Sequence, residues 1–161
     1  MVNNAGIFIP KPFTDYTTED FDRLVSTNLA GFLYVTQQAV RQMRTQGAGH
    51  IVSITTSLAD QPIAGVSAAI PVLTKGGLNA VTAALAIEFA GEGIRFNAIG
   101  AGIIDTPMHK PETNEFLKSL HPVHRIGSVS EIVDAELYLT EATFVTGEVL
   151  HADGGAHACK W

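Results

Sequence analysis

The chain has 161 residues, 46% of them apolar and 16% charged, with a formal net charge of −6. That length fits one domain with a sizeable core, since a folded domain of this size hides roughly 68–70% of the surface its unfolded chain exposes. The acidic balance argues against nucleic acid and anionic membranes as partners, no run of about 20 apolar residues offers a membrane span, and a single cysteine, Cys159, excludes an internal disulfide and makes a cytoplasmic location the default.

Met1-Val2-Asn3 reads as the tail of a strand that ends in a turn at Gly6, and the segment lacks the basic region and long apolar core of a signal peptide. Thr17 or Thr18 caps a helix whose Glu19 and Asp20 suit its positive end. A second helical run carries Leu29, Phe32, Leu33, Thr36, Val40 and Met43 on one face and stops at Gly47-Ala-Gly49. His50 to Ile54 reads as a short buried strand. A loop with Pro62 and Gly65 leads to a helix that holds Lys75, presents Leu78, Val81, Leu85 and Phe89 on one face, and runs to about Glu92. Gly91 and Gly93 punctuate its end. Ile94 to Ile99 is the next strand, with a turn at Gly100-Ala-Gly102. A looser segment from Pro107 to His124 contains Pro111 and Pro122. Ser128 with Glu131 forms a capping box for a helix through about Leu139. Val149 to Ala152 is the last strand, closed by Asp153-Gly-Gly155.

Strands separated by helices of ten or more residues imply a parallel sheet with right-handed crossovers, so the fold class is α/β, with about four strands. In such sheets ligands sit outside the carboxyl ends of the strands. The segments that carry chemistry are therefore Asn4-Ala5-Gly6, Thr55-Thr56-Ser57, Gly100 to Thr106 and Asp153-Gly-Gly155.

Taken in order, five segments resemble the classical short-chain dehydrogenase/reductase family: Asn3-Asn4-Ala5-Gly6, Asn28-Leu-Ala-Gly31, Ile51-Val-Ser-Ile-Thr-Thr56, Thr74-Lys75-Gly-Gly-Leu78, and Ile94-Arg-Phe-Asn-Ala98 with Gly102-Ile-Ile-Asp-Thr106. The likeness covers nearly the whole chain and implies the C-terminal part of a doubly wound, Rossmann-like sheet. It implies NAD or NADP as cofactor, a small-molecule alcohol or carbonyl as substrate, and a homo-oligomer, dimer or tetramer. By resemblance Lys75 would bind the nicotinamide ribose and Asn28 would hold a proton-relay water. Thr56 or Ser57 would donate to the substrate carbonyl, and the residues leave that choice open. Asn4, Ala5 and Gly6 would line the cofactor, and Ile104 and Thr106 would meet the nicotinamide carboxamide.

The chain departs from the family pattern in three places. Pro71 stands where the family has its acid/base tyrosine, four residues before Lys75; general acid/base groups contribute roughly 10²–10⁴-fold to a rate. Ala101 replaces a proline before Gly102. No Gly-rich strand–turn–helix that would grip the pyrophosphate occurs in the sequence. The resemblance thus implies residues 1–161 as a single domain missing the N-terminal dinucleotide-binding half. We expect a fragment, or a chain whose first strand needs a covering partner. The alternative reading is a non-catalytic binding or structural subunit. His109, His121 and His124 match no metal-ligand spacing. His109 or His124, or Asp60, is a candidate for the missing proton donor.

Overall fold

The computed structural model describes residues 1–109 and 114–158, so Pro111 and Cys159 lie outside the described residues. Four strands, β1 (Val2–Asn3), β2 (Gly49–Ile54), β3 (Ile94–Ala101) and β4 (Val149–Ala152), form one sheet in the order β1-β2-β3-β4. All three pairings are parallel, with Val2 opposite Val52, Ile51 opposite Phe96 and Ile99 opposite Leu150. This is the α/β parallel architecture expected from the sequence. β3 runs two residues further than the Gly-Ala-Gly signature suggests. Gly100 and Ala101 pair with His151 and Ala152, and the Gly102 N–H donates to Ala152 O at 3.1 Å.

The first crossover contains α1 (Thr18–Leu24) and α2 (Gly31–Gln46), joined by a π-helical segment, Val25–Ala30. Thr17 is the N-cap, and its hydroxyl accepts from Asp20 N–H at 3.2 Å while the Asp20 carboxylate accepts from Thr17 N–H at 3.1 Å. That reciprocal pair satisfies two of the helix's free N-terminal groups. The buried face is Leu24, Asn28, Phe32, Thr36 and Val40, a strict four-residue spacing. The extra residue per turn in the π segment rotates the face, so Leu33, expected inside, is exposed. Gly47 ends α2 in the left-handed region at φ 72°.

α3 (Ala69–Phe89) lies between β2 and β3 and buries Ile70, Pro71, Thr74, Leu78, Thr82, Ala86 and Phe89. Pro71 is tolerated because it sits in the first turn, where an N–H has no intrahelical partner. By length and composition α3 could cross a membrane. Thr74, Lys75, Asn79 and Thr82 interrupt its apolar run, and its buried Leu78 and Phe89 suit a core helix.

α4 (Asn114–Ser119) and α5 (Val129–Glu141) occupy the long connection to β4. Glu131 accepts from Ser128 N–H at 2.8 Å and so closes the start of α5.

Two apolar clusters show how the layers stack. Val40, Ile51, Ala86, Phe89, Ile94 and Phe96 join α2 and α3 to one sheet face. Val52, Ile99 and Leu139, with Ile132 and Leu150 around them, join α5 to the other. Successive strand residues point to opposite faces, so Ile51 and Val52 serve different layers. The strand order advances in one direction while α3 and α5 lie on opposite faces. The β2-to-β3 and β3-to-β4 crossovers therefore have opposite hands, and the expected right-handedness holds for only one of them. The β3-to-β4 connection is long and carries α4 before α5, which frees it from the twist argument that governs short crossovers.

A polar network holds the end of the sheet away from the candidate site. Asn97 is fully buried. Its Oδ1 accepts from Glu148 N–H and its Nδ2 donates to Val145 O, both at 3.0 Å, which fixes the amide's orientation. Nδ2 therefore meets His50 Nε2 as a donor at 3.0 Å, and His50 Nδ1 lies 3.1 Å from Thr140 Oγ1. A proton on Nε2 would oppose the Asn97 amide hydrogens. Burial, with the nearby Arg95 charge, lowers the His50 pKa from 6.5 to about 4. The folded state thus refuses a proton that the unfolded chain accepts. Stability from this group is complete above pH 6.5 and is lost as the pH falls through about 4. Urea midpoints measured from pH 7.5 to 4 are expected to fall, and His50→Gln is expected to flatten that fall.

Candidate active site

A cleft of about 780 Å³ opens at the carboxyl ends of β1, β2 and β3, where parallel sheets place their ligands. Asn4, Gly6, Thr56, Ser57, Lys75, Ile104 and Thr106 all line it. Ala5 is exposed and does not. Asn28 is buried behind the first turn: its Oδ1 accepts from Ile7 N–H at 2.9 Å, and its Nδ2 donates to Ile7 O at 3.1 Å and to Thr74 Oγ1 at 3.0 Å. Those contacts clamp the β1 turn to α3. Thr74 itself donates to Pro71 O at 3.0 Å, so Asn28 is tied to the first turn of α3 through one hydroxyl.

Lys75 follows one residue later on α3, and its Nζ donates to Ile54 O at 2.6 Å. Burial pushes its amine below the ordinary lysine range. The chain passes this amine at Gly6 because that residue has no side chain. A Cβ at Gly6 would stand 2.8 Å from Lys75 Nζ and 3.4 Å from Asn28 Oδ1. Thr56 and Ser57 leave the same strand end that Lys75 touches. The Thr56 hydroxyl accepts from Leu58 N–H at 3.3 Å, which leaves its own hydrogen for an acceptor in the cleft, and Ser57 is buried.

Pro71 is fully buried and does not line the cleft. Of the candidate proton donors, His109 lines the cleft and burial lowers its pKa, against the opposing pull of Asp105. His124 lies outside the lining, with a left-handed φ of 53°, and Asp60 pairs with His151 at 2.8 Å. His121 lines the cleft, but its ring is committed. Nε2 accepts from Ile103 N–H at 3.0 Å, so Nδ1 carries the proton and donates to Arg125 O at 2.7 Å. Among the described residues no group of three or more His, Cys, Asp or Glu side chains could hold a metal ion.

The sequence reading missed the apolar walls. Ile7, Phe8, Met108, Phe116, Leu117 and Leu120 all line the cleft. The signal was present in the segment read as loose: Phe116, Leu117 and Leu120 have helical spacing, and α4 forms there.

A family profile described as enoyl-(acyl carrier protein) reductase matches residues 1–157. The chain belongs to the short-chain dehydrogenase/reductase family. A tropinone reductase homolog of Arabidopsis thaliana is 36% identical over 166 residues, which cover 96% of this chain and 62% of the relative. A tropinone reductase homolog of Datura stramonium is 33% identical, over 96% of this chain and 61% of its own length. Among solved structures, ElxO with NADP bound superposes with a TM-score of 0.91 at 29% identity, over 98% of this chain and 66% of that one. A 3-ketoacyl-(acyl-carrier-protein) reductase from Brucella melitensis complexed with NADH gives 0.89 at 29% identity, over 97% of this chain and 66% of that one. This member of the family thus spans about three-fifths of the length of the curated relatives it matches.

Proposed function

We propose that this chain forms the substrate-facing and nicotinamide-facing part of an NAD(P)-linked oxidoreductase that interconverts an alcohol and a carbonyl. The observation that carries the reading is the Lys75 ammonium beside the side-chain-free Gly6 turn, with the Thr56 and Ser57 hydroxyls at the adjoining strand end. The residues present fit the nicotinamide end of such a cofactor. Lys75 has three N–H donors and commits one to Ile54 O, so two remain for the hydroxyls of a ribose. A side chain at Gly6 would block that approach. Ile104 and Thr106 offer a backbone and a hydroxyl partner to a carboxamide. When bound, the nicotinamide ring supplies hydride donation or acceptance. The Thr56 or Ser57 hydroxyl holds the substrate oxygen, and Asn28 acts as a positioning residue through Ile7 and Thr74. NADP or NADH in the solved relatives supports the cofactor class. The exposed apolar Leu33, Val35, Leu73 and Ile87 on α2 and α3 support assembly into a homo-oligomer, and a cytoplasmic location accompanies the reading.

A second reading, a non-catalytic binding subunit, is favoured by Pro71, which has no proton to give. Amide and side-chain NMR shifts on titration with nicotinamide mononucleotide test the first claim. Shifts at Gly6, Lys75 and Thr106 that vanish in Lys75→Met are expected. A spectrum indifferent to the nucleotide would overturn the cofactor site. Turnover of an alcohol panel by the wild type and by Pro71→Tyr then separates the two readings. Turnover in either supports the oxidoreductase, and nucleotide shifts without turnover in both support the binding subunit.

A further inference from the structure

We infer that His121 is a positioning residue whose ring sets the Ile103–Thr106 loop at the nicotinamide side of the cleft, a role that rests on the cofactor reading above. His121 is 2% exposed and sits in the turn that closes α4, where its N–H donates to Lys118 O at 3.3 Å. Its ring has two distinct duties. Nε2 accepts from Ile103 N–H at 3.0 Å, and Nδ1 donates to Arg125 O at 2.7 Å. Ile103 O in turn accepts from Gly127 N–H at 2.9 Å, and Asp105 N–H donates to Gly127 O at 2.8 Å. Ile104 and Gly127 form an isolated parallel bridge between those bonds. The contacts make a closed circuit: Ile103 to His121, His121 to Arg125, along the chain to Gly127, and back to Ile103. His121 supplies the one side chain in that circuit.

Main chain answers the Ile103 carbonyl, whereas a side chain answers its N–H. A half-buried N–H that loses its acceptor turns toward another partner, and the residues after it turn with it. Ile104 and Thr106 come next along the chain and line the cleft, as do Phe116, Leu117 and Leu120 of α4. One ring thus ties the nicotinamide side of the cleft to its apolar wall. The ring fits there because Gly102 has no side chain: a Cβ would stand 2.6 Å from Nε2. The two nitrogens do different work. An acceptor at the Nε2 position holds the loop, and a donor at the Nδ1 position holds the ring. Glutamine carries an amide oxygen about as far from the main chain as Nε2, and asparagine an amide nitrogen about as far as Nδ1. His121→Gln therefore keeps the loop contact, and His121→Asn keeps only the contact with Arg125.

NMR of the nitrogen-labelled wild type, His121→Asn and His121→Gln, with and without nicotinamide mononucleotide, tests the role. The wild type is expected to show a scalar coupling across the hydrogen bond from the Ile103 amide nitrogen to His121 Nε2. His121→Asn is expected to keep the nucleotide-induced shifts at Gly6 and Lys75 and to lose those at Ile104 and Thr106. Its affinity for the nucleotide should fall roughly tenfold, the ratio that corresponds to one buried hydrogen bond left unmade. His121→Gln should restore the Ile104 and Thr106 shifts and most of the affinity. Equal weakening of all four positions in both variants would indicate a packing lesion and overturn the inference. Wild-type shifts at Thr106 in His121→Asn would overturn it too. A wild type that ignores the nucleotide would instead sink the cofactor reading, and amide relaxation of the free chains then decides the part played by His121. Order at Ile104 and Thr106 that is lost in His121→Asn and kept in His121→Gln supports that part, and order unchanged in His121→Asn removes it. Should neither variant fold, the wild-type coupling decides: its presence supports the clamp and its absence overturns it.

Discussion

An Arg95→Ala chain is expected to lose about 2–4 kcal/mol of stability, since hydrogen bonds from charged donors are each worth about 1.5–3 kcal/mol and do not add fully. Arg95 projects from the start of β3 and donates to four carbonyls. Nη1 reaches Leu139 O and Val145 O at 2.9 Å and Ala142 O at 3.2 Å, and Nη2 reaches Thr140 O at 2.9 Å. These are the last carbonyls of α5 and of the loop beyond it. A helix leaves its final carbonyls without internal partners and concentrates negative partial charge there. One guanidinium answers both needs. Arg95→Lys is expected to recover only part of the loss, because an ammonium cannot present a planar fork to several acceptors. The effect should reach the cleft, since α5 supplies Val129 and Ile132 to its lining. Urea denaturation checks the magnitude, and an alanine variant within about 0.5 kcal/mol of the wild type, the range of ordinary surface substitutions, would contradict it.

Gly102→Val is expected to cost about 3 kcal/mol, at the upper end of ordinary overpacking. A Cβ at Gly102 would lie 2.6 Å from His121 Nε2 and 2.8 Å from Asp153 Cα. Neither neighbour can yield cheaply. Asp153 Cα is main chain, and the His121 ring is pinned at both nitrogens. The contact first lost is the Gly102 N–H to Ala152 O bond that continues the β3–β4 ladder. The loop carrying Ile103, Ile104 and Thr106 follows directly, so the nicotinamide mononucleotide shifts at Thr106 should weaken together with the stability. Gly91→Ala is the control, because a Cβ there would meet nothing within 4 Å. Thermal denaturation of the wild type and the two variants should rank Gly102→Val well below Gly91→Ala. Wild-type stability in Gly102→Val would contradict the close-approach argument.

Much of this architecture is legible in the sequence because parallel sheets obey few rules. Short apolar runs separated by helix-length segments point to β1 through β4. The rule that ligands gather beyond strand ends selects Gly6, Thr56 and Thr106 before any contact is known. Other features are hidden for physical reasons. Gly100-Ala-Gly102 has turn composition, yet two of its residues are strand, because β4 offers them a ladder that local sequence cannot see. Leu33 fits an unbroken helical period, and one π turn moves it outward. Asn28 matches a motif, but its contacts with Ile7 and Thr74 depend on a chain crossing between segments 21 and 46 residues away. Arg95 reads as an ordinary strand cation until the end of α5 arrives in front of it. The apolar wall of the cleft is coded in Phe116, Leu117 and Leu120, whose period is easily lost among flanking prolines.

The neighbour-by-neighbour strand order carries a kinetic consequence. Val2 meets Val52, Gly49 meets Ile94 and Ala98 meets Val149, so every pair in the ladder closes a loop of about fifty residues. Among the described residues no hairpin nucleates the sheet, and the entropy of closure is met three times before the ladder is complete. Refolding in the millisecond-to-second range is the expectation for so non-local a pattern. While β2 and β3 wait for each other, their apolar edges stand open to neighbouring chains, and the yield of refolded protein should fall as its concentration rises.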